Sequence, residues 1–341
     1  MSVVVAKQLG VNDPFQDVQL ALRLASRSPL ARCVHHALQQ IPDGSTVMVA
    51  ASGGADSTGL ALLATAVASR GEYRVRLVTI DHGLRSDSAL DAAFVQALGA
   101  WLGVPVDRCR VQVAPGAGIA AKARRARHAA IIRAAAQANA SAVLMAHHAE
   151  DQLETMLMRL VRGSGAQAAA GMRASRTMRE SLLLLRPLLE RSRDEIRTLL
   201  VDAKVPWRED PSNQDRSRPR GRLRHEVLPV LEAMRPGAAM RASRTARRLQ
   251  GAAKALAAQA KKILQGDGPW ARASLRRAPR EALALALRKL EKHAAEVGIE
   301  RAVEAIRSAD VKPKRCMLGA RELRVQAKWV RWHCAYTQQS E

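Results

Sequence analysis

Short apolar runs alternate with helical segments along residues 46–203, and this alternation limits the possible folds more than any other feature. The first run, Thr46-Val-Met-Val-Ala-Ala51, has the length and composition of a strand that is buried on both faces. Strands that alternate with longer helices predict an α/β fold, a Rossmann-like parallel sheet with helices on both faces. The later segments predicted as strands are 75–80, 108–113, 142–146 and 182–185, and those predicted as helices are 60–69, 88–102, 119–138, 149–161 and 192–203.

The pattern changes near residue 210. Segment 210–224 combines proline, serine, asparagine and glycine with a series of arginines, which predicts a loop at a domain boundary. Beyond this segment the pattern predicts helices over 239–264 and 279–297, and strands over 323–334. We therefore expect an α/β domain, an arginine-rich linker and a basic, mainly helical C-terminal domain, which are residues 1–215, 216–237 and 238–341.

The excess of basic residues is concentrated at the end of the chain. Of the 55 lysines and arginines, 29 lie in residues 216–341, against 11 of the 31 acidic residues, so this part carries +18 of the formal net charge of +24. A field of this sign attracts polyanions and raises their association rate. Aromatic residues make up only 3% of the chain, which disfavours binding by base stacking. We therefore expect contacts to nucleic-acid phosphates, with a genome-wide preference for arginine as the alternative explanation.

The sequence gives no sign of secretion. The first 30 residues do not join a basic start to an apolar stretch and a small-residue cleavage site. The four cysteines, Cys33, Cys109, Cys316 and Cys334, are scattered and form no CxxC pair, which disfavours a zinc or redox site. We therefore expect a soluble, cytoplasmic protein with reduced thiols.

The strongest motif is the loop Ser52-Gly53-Gly54-Ala55-Asp56-Ser57, which lies between the first predicted strand and a helix. Two adjacent glycines let the backbone approach a phosphate, and the start of the helix points N–H groups at it. The hydroxyls of Ser52 and Ser57 add donors, and Asp56 is suited to hold Mg²⁺ against phosphate oxygens. The loop has neither the Walker pattern nor the GxGxxG spacing. We assign residues 52–57 to nucleotide binding, with a purely structural turn as the alternative.

Polar side chains follow two other predicted strands. Asp81 and His82 stand at the end of one, and His147 stands at the end of another. Because open α/β sheets bind their ligands beyond the carboxyl ends of the strands, we expect Asp81, His82 and His147 to line a nucleotide crevice. A structural role for His147 or for its neighbour His148 is the alternative, and neither has the spacing of a zinc ligand.

Further short motifs follow the loop in order, from about Thr46 to Pro229. Together with the SGGxDS pattern of the loop, they resemble the tRNA(Ile)-lysidine synthetase family of the PP-loop ATP pyrophosphatases. The motifs are Asp81-His82-Gly83-Leu84-Arg85, residues 146–155 (AHHAEDQLET), Arg162-Gly163-Ser164-Gly165, Gly171-Met172, Arg186-Pro187-Leu188-Leu189 and Asp210-Pro211-Ser212-Asn213, and the chain departs from the family pattern at Arg125, His128, Ala168-Ala169 and Gly221.

The resemblance implies a fold of the adenine nucleotide α-hydrolase type and an ATP-dependent ligase that forms a carbon–nitrogen bond. Enzymes of this family join L-lysine to C2 of the wobble cytidine in tRNA(Ile) with a CAU anticodon. ATP first adenylates the cytidine and releases pyrophosphate, and AMP leaves when lysine attacks. The product, lysidine, changes the codon and amino-acid specificity of the tRNA. The resemblance therefore implies ATP and Mg²⁺ as cofactors, and tRNA(Ile) and lysine as partners.

Three carboxylates are assigned to catalysis: Asp56, Asp151 and Glu154. Asp151 and Glu154 are three positions apart on one predicted helix, so their side chains share a face. Two roles remain open for this pair, because it could complete a metal site with Asp56 or attract the ammonium groups of lysine. We assign Asp56 and Asp151 as metal ligands, and a solvated helix face is the alternative for the pair.

Arginines in two segments are assigned to tRNA. Those of segment 216–224 alternate with small residues in a predicted loop, which suits phosphate binding, and a solvated linker is the alternative. Two more lie three positions apart on a predicted helix and face either RNA or ATP. The arginines assigned to tRNA binding are Arg124, Arg127, Arg220, Arg222 and Arg224.

Other functions are less consistent with the residues. A PP-loop tRNA thiolase is the main alternative, but such enzymes need a sulfur-carrying cysteine near the site, often in paired motifs, and the chain has no CxxC pair. Relatives that form amides depend on an ammonia source and have no need of a strongly basic C-terminal region. A non-catalytic RNA-binding protein has no reason to keep Ser52, Asp56, Ser57 and Asp151 together.

Overall fold

The chain divides into two compact units, Met1–Arg247 and Arg248–Glu341. This division lies downstream of the boundaries expected at residues 215 and 237. A computed structural model describes residues 15–69, 71–81, 88–111, 116, 118–163, 165–209, 216–266, 268–291 and 293–333. Among these residues no helix is both long and apolar enough to cross a membrane.

A six-stranded sheet organises the first unit, in the order β3-β2-β1-β4-β6-β5. All neighbouring strands are parallel except β5, which runs antiparallel to β6 at the edge. The order reverses direction between β1 and β4, and such a switch point opens a crevice beyond the carboxyl ends of the strands. The strands are β1 Thr46–Ala50, β2 Arg74–Asp81, β3 Val106–Arg110, β4 Ala140–Leu144, β5 Ser175–Arg179 and β6 Leu182–Leu185.

The helices predicted in the first unit are present. The helix predicted over 60–69 begins earlier, directly at the glycine-rich loop, and two helices precede β1. The helices are α1 Val18–Arg27, α2 Pro29–Leu38, α3 Ala55–Ala68, α4 Ser88–Leu102, α5 Ile119–Gln137, α6 Ala149–Val161, α7 Ala166–Ala169, α8 Arg193–Asp202, α9 Pro219–Arg222, α10 Leu228–Met234 and α11 Ala238–Ile263, of which α11 crosses the division between the units.

Helices cover both faces of the sheet, as predicted. Successive residues of β1 alternate between two cores because strand side chains point to opposite faces. Val47 and Val49 pack in a core with α1 to α4 and α8. Met48 packs on the other face, against Ile131 and Ala135 of α5. The loop that follows β1 therefore emerges between two layers of helices.

The arginine-rich segment is more ordered than predicted. The predicted loop 210–224 lies partly outside the described residues, at 210–215. From Pro219 onward the prediction of a loop is wrong, because α9, a π-helical turn over Leu223–Val227 and α10 form an almost continuous helical segment. Leucines within it, among them Leu223 and Leu228, belong to a core cluster with α6 and α11. These apolar positions, and not the arginine content, determine the local structure.

The second unit combines helices with a four-stranded antiparallel sheet, in the order β7-β10-β9-β8. Strands were expected at 323–334 and are found there up to His333, while Cys334 lies outside the described residues. One helix predicted over 279–297 is two helices, because the backbone is extended at Glu291. The elements are β7 Trp270–Ala271, α12 Arg272–Arg277, α13 Arg280–Leu290, α14 Glu296–Arg307, β8 Lys314–Leu318, β9 Arg321–Val325 and β10 Trp329–His333.

Candidate active site

The glycine-rich loop turns sharply between β1 and α3. Gly53 has φ +84°, and a Cβ at this position would lie 3.1 Å from Cδ1 of Phe94. Its carbonyl accepts hydrogen bonds from the backbone N–H of Arg208 (2.9 Å) and from the hydroxyl of Thr58 (3.2 Å). A left-handed backbone in a crowded turn requires glycine, so residue 53 is fixed by the geometry of the loop.

The two loop serines have different surroundings. The hydroxyl of Ser57 is buried, donates to the carbonyl of Gly54 (3.0 Å) and accepts from the backbone N–H of Ser52 (3.1 Å). Ser57 therefore holds the shape of the loop, whereas Ser52 is exposed at its rim. Within the described part of the chain, no side chain caps the start of α3 at Gly54. The N–H groups of the first turn of a helix have no intrahelical partner, and here they face the crevice with the positive end of the helix dipole.

A cavity of about 370 Å³ lies at the carboxyl edge of the sheet, beside this loop. It brings together the predicted loop residues, His147 and Arg127, which are distant in sequence. It also contains residues that the sequence did not single out, from α8 and from the segment after it. The described residues that line it include Ser52, Gly54, Ala55, Asp56, Ser57, Thr79, Asp91, Arg127, Ile131, Met145, Ala146, His147, Arg193, Arg197, Arg208 and Glu209.

Three atoms at the wall of this cavity are buried but have no hydrogen-bond partner among the described residues. They are Oδ1 of Asp56 and the Nε atoms of Arg193 and Arg197. Arg193 Nε is 3.9 Å from Asp56 Oδ1, which is within ion-pair range but too long for a hydrogen bond. Because buried polar groups in folded proteins are almost always paired, two orphaned cationic donors and one anionic acceptor indicate a wall that pairs with a charged ligand.

Three carboxylates surround the ring of His148, which is 2% exposed. Nδ1 lies 2.8 Å from Glu150 Oε2, while Nε2 lies 3.5 Å from Asp56 Oδ2 and 3.4 Å from Asp151 Oδ2. Burial opposes protonation, but Asp151, Asp56 and Glu150 outweigh it and raise the pKa of His148 to about 10. A protonated His148 therefore ties the loop to the start of α6.

Asp151 and Glu154 share a helix face, as predicted, but both are already engaged. Glu154 is fully buried and accepts from Arg220 Nε (2.5 Å) and Arg224 Nε (2.8 Å). Asp151 Oδ1 lies 3.1 Å from Arg220 Nη2 and 3.4 Å from Arg224 Nη2, and its other oxygen faces His148. Burial opposes ionisation of Asp151, but these cations keep its pKa below the ordinary value.

These contacts change three assignments made from the sequence. Glu154 cannot touch a substrate while it is fully buried, so a direct catalytic role does not fit its position. Asp151 is a poor second metal ligand, because both of its oxygens already contact cations. Arg220 and Arg224 bind carboxylates of their own chain, and Arg222 pairs with Glu226 at the surface (3.2 Å). We therefore interpret Glu154 as the residue that positions Arg220 and Arg224.

Arg186 fixes the protonation of His147. Arg186 is buried and donates from Nε to His147 Nδ1 (3.1 Å) and from Nη1 to the carbonyl of Arg173 (2.7 Å). Burial lowers the pKa of His147, Asp151 opposes this effect and the charge of Arg186 adds to it, so that the pKa is about 4. Because Nδ1 accepts a hydrogen bond from a cation, the ring is neutral with its proton on Nε2. His147 therefore presents an N–H donor at the cavity wall.

This arrangement predicts that acid destabilises the protein through His147. In the folded protein the pKa of His147 lies below its ordinary value of 6.5. The neutral ring therefore contributes its full stabilisation to the folded state above pH 6.5, and this contribution is lost as the pH falls toward 4. Replacing His147 with glutamine removes this dependence. We therefore expect the free energy of unfolding, measured in urea at about pH 7 and about pH 5, to fall more in the wild type than in His147→Gln. Equal losses in the two proteins would contradict the assigned protonation.

The remaining predicted site residues are distributed as follows. Asp81 is buried at the end of β2, where its carboxylate lies 2.8 Å from Arg108 Nη2, and it is not among the described residues that line the cavity. His82 lies outside the described residues. Arg124 and Arg127 lie on exposed turns of α5, and only Arg127 of this pair lines the cavity.

One motif has a structural explanation. Gln152 of α6 is 1% exposed, donates to the carbonyl of Met172 (2.9 Å) and accepts from the N–H of the same residue (2.7 Å). Gly171 has φ +72°, and a Cβ there would lie 2.7 Å from the amide oxygen of Gln152. Arg159 adds donors to the carbonyls of Ala168 and Gly171. The Gly171-Met172 element therefore fastens α6 to the chain ahead of β5.

The chain is similar to known proteins in sequence. The family model described as the PP-loop domain matches residues 27–231. The chain is 43% identical over 242 residues to the tRNA(Ile)-lysidine synthase of Salinispora arenicola, and the aligned region covers 70% of this chain and 72% of that protein. It is 45% identical over 246 residues to the tRNA(Ile)-lysidine synthase of Thermobifida fusca, covering 70% of this chain and 73% of that protein.

The chain is also similar in structure to a U34-tRNA thiolase from Methanococcus maripaludis, which was solved with its iron–sulfur cluster. The TM-score is 0.53 with 16% sequence identity, and the match covers 65% of this chain and 78% of that chain. At this identity the similarity concerns the fold, and it agrees with the α/β architecture of the first unit.

Proposed function

The chain belongs to the tRNA(Ile)-lysidine synthases of the PP-loop domain family, and we propose that it joins L-lysine to C2 of the wobble cytidine of tRNA(Ile) with a CAU anticodon. Such an enzyme is an ATP-dependent ligase that works in the cytoplasm, where its tRNA and nucleotide substrates are found. The observation that carries the proposal is the cavity in which the Ser52–Ser57 loop meets orphaned charged atoms of Asp56, Arg193 and Arg197.

The chemistry needs an activated oxygen. The C2 oxygen of cytidine is a poor leaving group, so it attacks the α-phosphorus of ATP and the bond to pyrophosphate breaks. The lysine ε-amine, in its deprotonated form, then attacks C2, and the oxygen leaves with AMP. The first step develops charge on the departing pyrophosphate, which preorganised donors stabilise. The uncapped start of α3 and the Nε groups of Arg193 and Arg197 provide such donors.

Asp56 is the residue that fits Mg²⁺. Its Oδ1 is buried at the cavity wall without a hydrogen-bond partner among the described residues. Mg²⁺ is commonly held by one or two carboxylates together with substrate phosphates. No group of three His, Cys, Asp or Glu side chains in the described part of the chain is arranged as a metal site. Asp56 would therefore hold the ion together with phosphate oxygens of ATP. When bound, Mg²⁺ supplies charge neutralisation for the pyrophosphate.

Lysine recognition is assigned to the acidic and basic groups beside the loop. Arg220 retains about half of its side-chain exposure (48%) while it contacts Asp151 and Glu154. A guanidinium next to a carboxylate is complementary in charge to a free amino acid, because the guanidinium can bind the α-carboxylate while the carboxylate lies near the α-ammonium group. In this proposal the half-exposed guanidinium of Arg220 binds the α-carboxylate of lysine. Glu154 acts only by holding Arg220 and Arg224 in place.

The second unit is assigned to tRNA. The second unit begins within α11 and exposes basic side chains, among them Lys254, Lys261 and Lys262. Arg272 differs, because it is 2% exposed and donates to main-chain carbonyls that include those of Ala305 and Ile306. Most of the charge is therefore at the surface, where it attracts the phosphates of tRNA, and Arg272 is a structural residue.

The experiment supplies the protein with isoleucine tRNA transcripts, ATP, Mg²⁺ and radiolabelled lysine. Label is expected in the transcript with the CAU anticodon, and not in a methionine tRNA with the same anticodon. Incorporation of sulfur would instead support a thiolase. The structure favours the ligase, because Cys33, Cys109 and Cys316 do not line the cavity in the described part of the chain. Absence of any lysine incorporation would overturn the proposal.

A further inference from the structure

A second group of arginines lies beside the cavity and has no carboxylate partner among the described residues. We name it the α5–β5 patch, and it consists of Arg124 and Arg127 of α5 and Arg176 of β5. All three side chains are exposed. None of them forms an ion pair with a described residue, whereas the arginines of α8, α9 and the π-helical turn contact acidic side chains. The patch is therefore uncompensated positive charge on the catalytic unit.

The sheet register places Arg176 on the same face as α5. Arg176 is paired directly with Leu184 of β6, and Leu184 is buried in the core that α5 covers. Side chains of directly paired residues point to the same side of a sheet. The neighbouring pair, Ser175 with Leu185, ends the ladder at the carboxyl edge, so Arg176 lies at the edge where the cavity opens.

The patch and the glycine-rich loop occupy opposite sides of this edge. The loop leads into α3, which packs with α8 on one face of the sheet. That side carries Arg193, Arg197 and the orphaned oxygen of Asp56. The patch lies on the other face, and Arg127 connects it to the cavity wall. A ligand that reaches the cavity from the patch therefore approaches the loop from the side opposite to the α8 arginines.

The charges of the patch act together on the groups beneath it. Burial, together with the charges of Arg176, Arg124 and Arg159, lowers the pKa of Arg186 to about 10. Burial also lowers the pKa of His128, and the four arginines 124, 176, 127 and 186 add to this effect. No acidic side chain is among the causes in either case. The positive charges are thus close enough to repel one another, which favours an anionic ligand that spans them.

We propose that the α5–β5 patch binds consecutive backbone phosphates of the RNA next to the reacting cytidine, and so holds that base over the cavity. This inference rests on the proposed function, because it identifies where the tRNA substrate enters the catalytic unit. An RNA strand suits the patch because its backbone presents phosphates at regular intervals, and arginines can bind these phosphates without contacts to the bases. The triphosphate of ATP is the other possible source of phosphate. In the proposed function its donors are the glycine-rich loop, Arg193 and Arg197, which lie on the face of the sheet opposite to the patch.

The test compares Arg176→Gln and the double variant Arg124→Gln/Arg176→Gln with the wild type. The dissociation constant for an isoleucine tRNA transcript is measured by filter binding over a series of salt concentrations. Each lost phosphate contact is expected to weaken binding roughly fivefold at ordinary ionic strength and to reduce the salt slope by about one. The KM for tRNA should rise in parallel, with the KM for ATP unchanged.

Arg179 provides a matched control on the same strand. It is exposed and pairs with Leu182, at the opposite end of the β5–β6 ladder from Ser175. Arg179→Gln removes the same charge and should leave the tRNA affinity and the salt slope unchanged. Equal weakening by Arg179→Gln would mean that only net charge matters, and a rise in the KM for ATP would assign the patch to the triphosphate. Either result overturns the proposal.

The binding measurement is independent of lysine transfer. If the wild type failed to incorporate lysine but the two patch variants still bound tRNA more weakly than Arg179→Gln, the proposed function would fail while the patch remained an RNA site. If lysine were incorporated and the patch variants bound tRNA like the wild type, the patch proposal alone would fail.

Discussion

Replacing Asp56 with asparagine is expected to reduce lysidine formation by about 10²- to 10³-fold, the usual effect of removing one group that stabilises charge in a transition state. Asp56 is the first-turn carboxylate of α3, and its Oδ1 is buried at the cavity wall without a hydrogen-bond partner in the described part of the chain. Asparagine keeps the shape and removes the charge that would hold Mg²⁺ against pyrophosphate. The measurement is the rate of AMP formation in the presence of isoleucine tRNA.

The matched control for this substitution is Asp107→Asn. Asp107 has similar side-chain exposure, 29% against 30% for Asp56, but it pairs with Arg76 (2.8 Å) away from the cavity. We expect nearly normal rates from Asp107→Asn and unchanged tRNA affinity in both variants. If Asp56→Asn weakened tRNA binding as much as it slowed AMP formation, Asp56 would be a structural residue and its proposed role would be wrong.

Replacing Glu154 with glutamine is expected to lower the free energy of unfolding by about 3 kcal/mol, because breaking a buried ion pair leaves an uncompensated charge. Glu154 is fully buried, and its two oxygens accept from Arg220 and Arg224. The KM for lysine should rise as well, since Arg220 loses its support. Urea denaturation and lysine titration measure the two effects separately.

The exposed pair Arg222–Glu226 provides the comparison for Glu154. Their side chains are 66% and 44% exposed, and their atoms are 3.2 Å apart. An exposed ion pair contributes about 1 kcal/mol or less, so Glu226→Gln should have little effect on stability or on the KM for lysine. A loss in Glu154→Gln no larger than that in Glu226→Gln would contradict the buried cluster. A normal KM for lysine in a destabilised Glu154→Gln would separate stability from lysine binding.

The sequence predicts the sheet well wherever apolar runs are buried on both sides. Strands β1, β2, β4 and β6 are found where such runs were identified. Strand β5 was missed because Ser175-Arg-Thr-Met-Arg179 forms a mostly exposed edge and lacks a buried pattern. The arginine-rich segment was misread for the opposite reason, since its composition favours a loop while Leu223 and Leu228 form a packed helical face.

The lining of the cavity was predictable where adjacent residues form it. Loop 52–57 and His147 were singled out because a strand end, a glycine turn and a helix start are contiguous in the sequence, and residues of this loop and His147 line one cavity. Their role in nucleotide binding stays a prediction. The cationic wall formed by Arg193, Arg197 and Arg208 was not identified, because α8 and the segment after it reach the cavity only through tertiary contacts with α3 and its loop. Nor did spacing alone reveal that Glu154 is buried under two arginines, since ion pairs between distant segments depend on the tertiary fold.

The most direct test of the central claim follows the C2 oxygen of the wobble cytidine. A CAU-anticodon isoleucine tRNA that carries a heavy oxygen isotope at this position is incubated with the protein, ATP, Mg²⁺ and lysine, and the AMP is analysed by mass spectrometry. Activation of cytidine at the loop predicts that the isotope appears in AMP, with one AMP for each lysine incorporated. AMP without the isotope in this reaction would contradict the mechanism proposed here. AMP formed from ATP and lysine in a parallel reaction without tRNA would mean that the lysine carboxylate is activated instead.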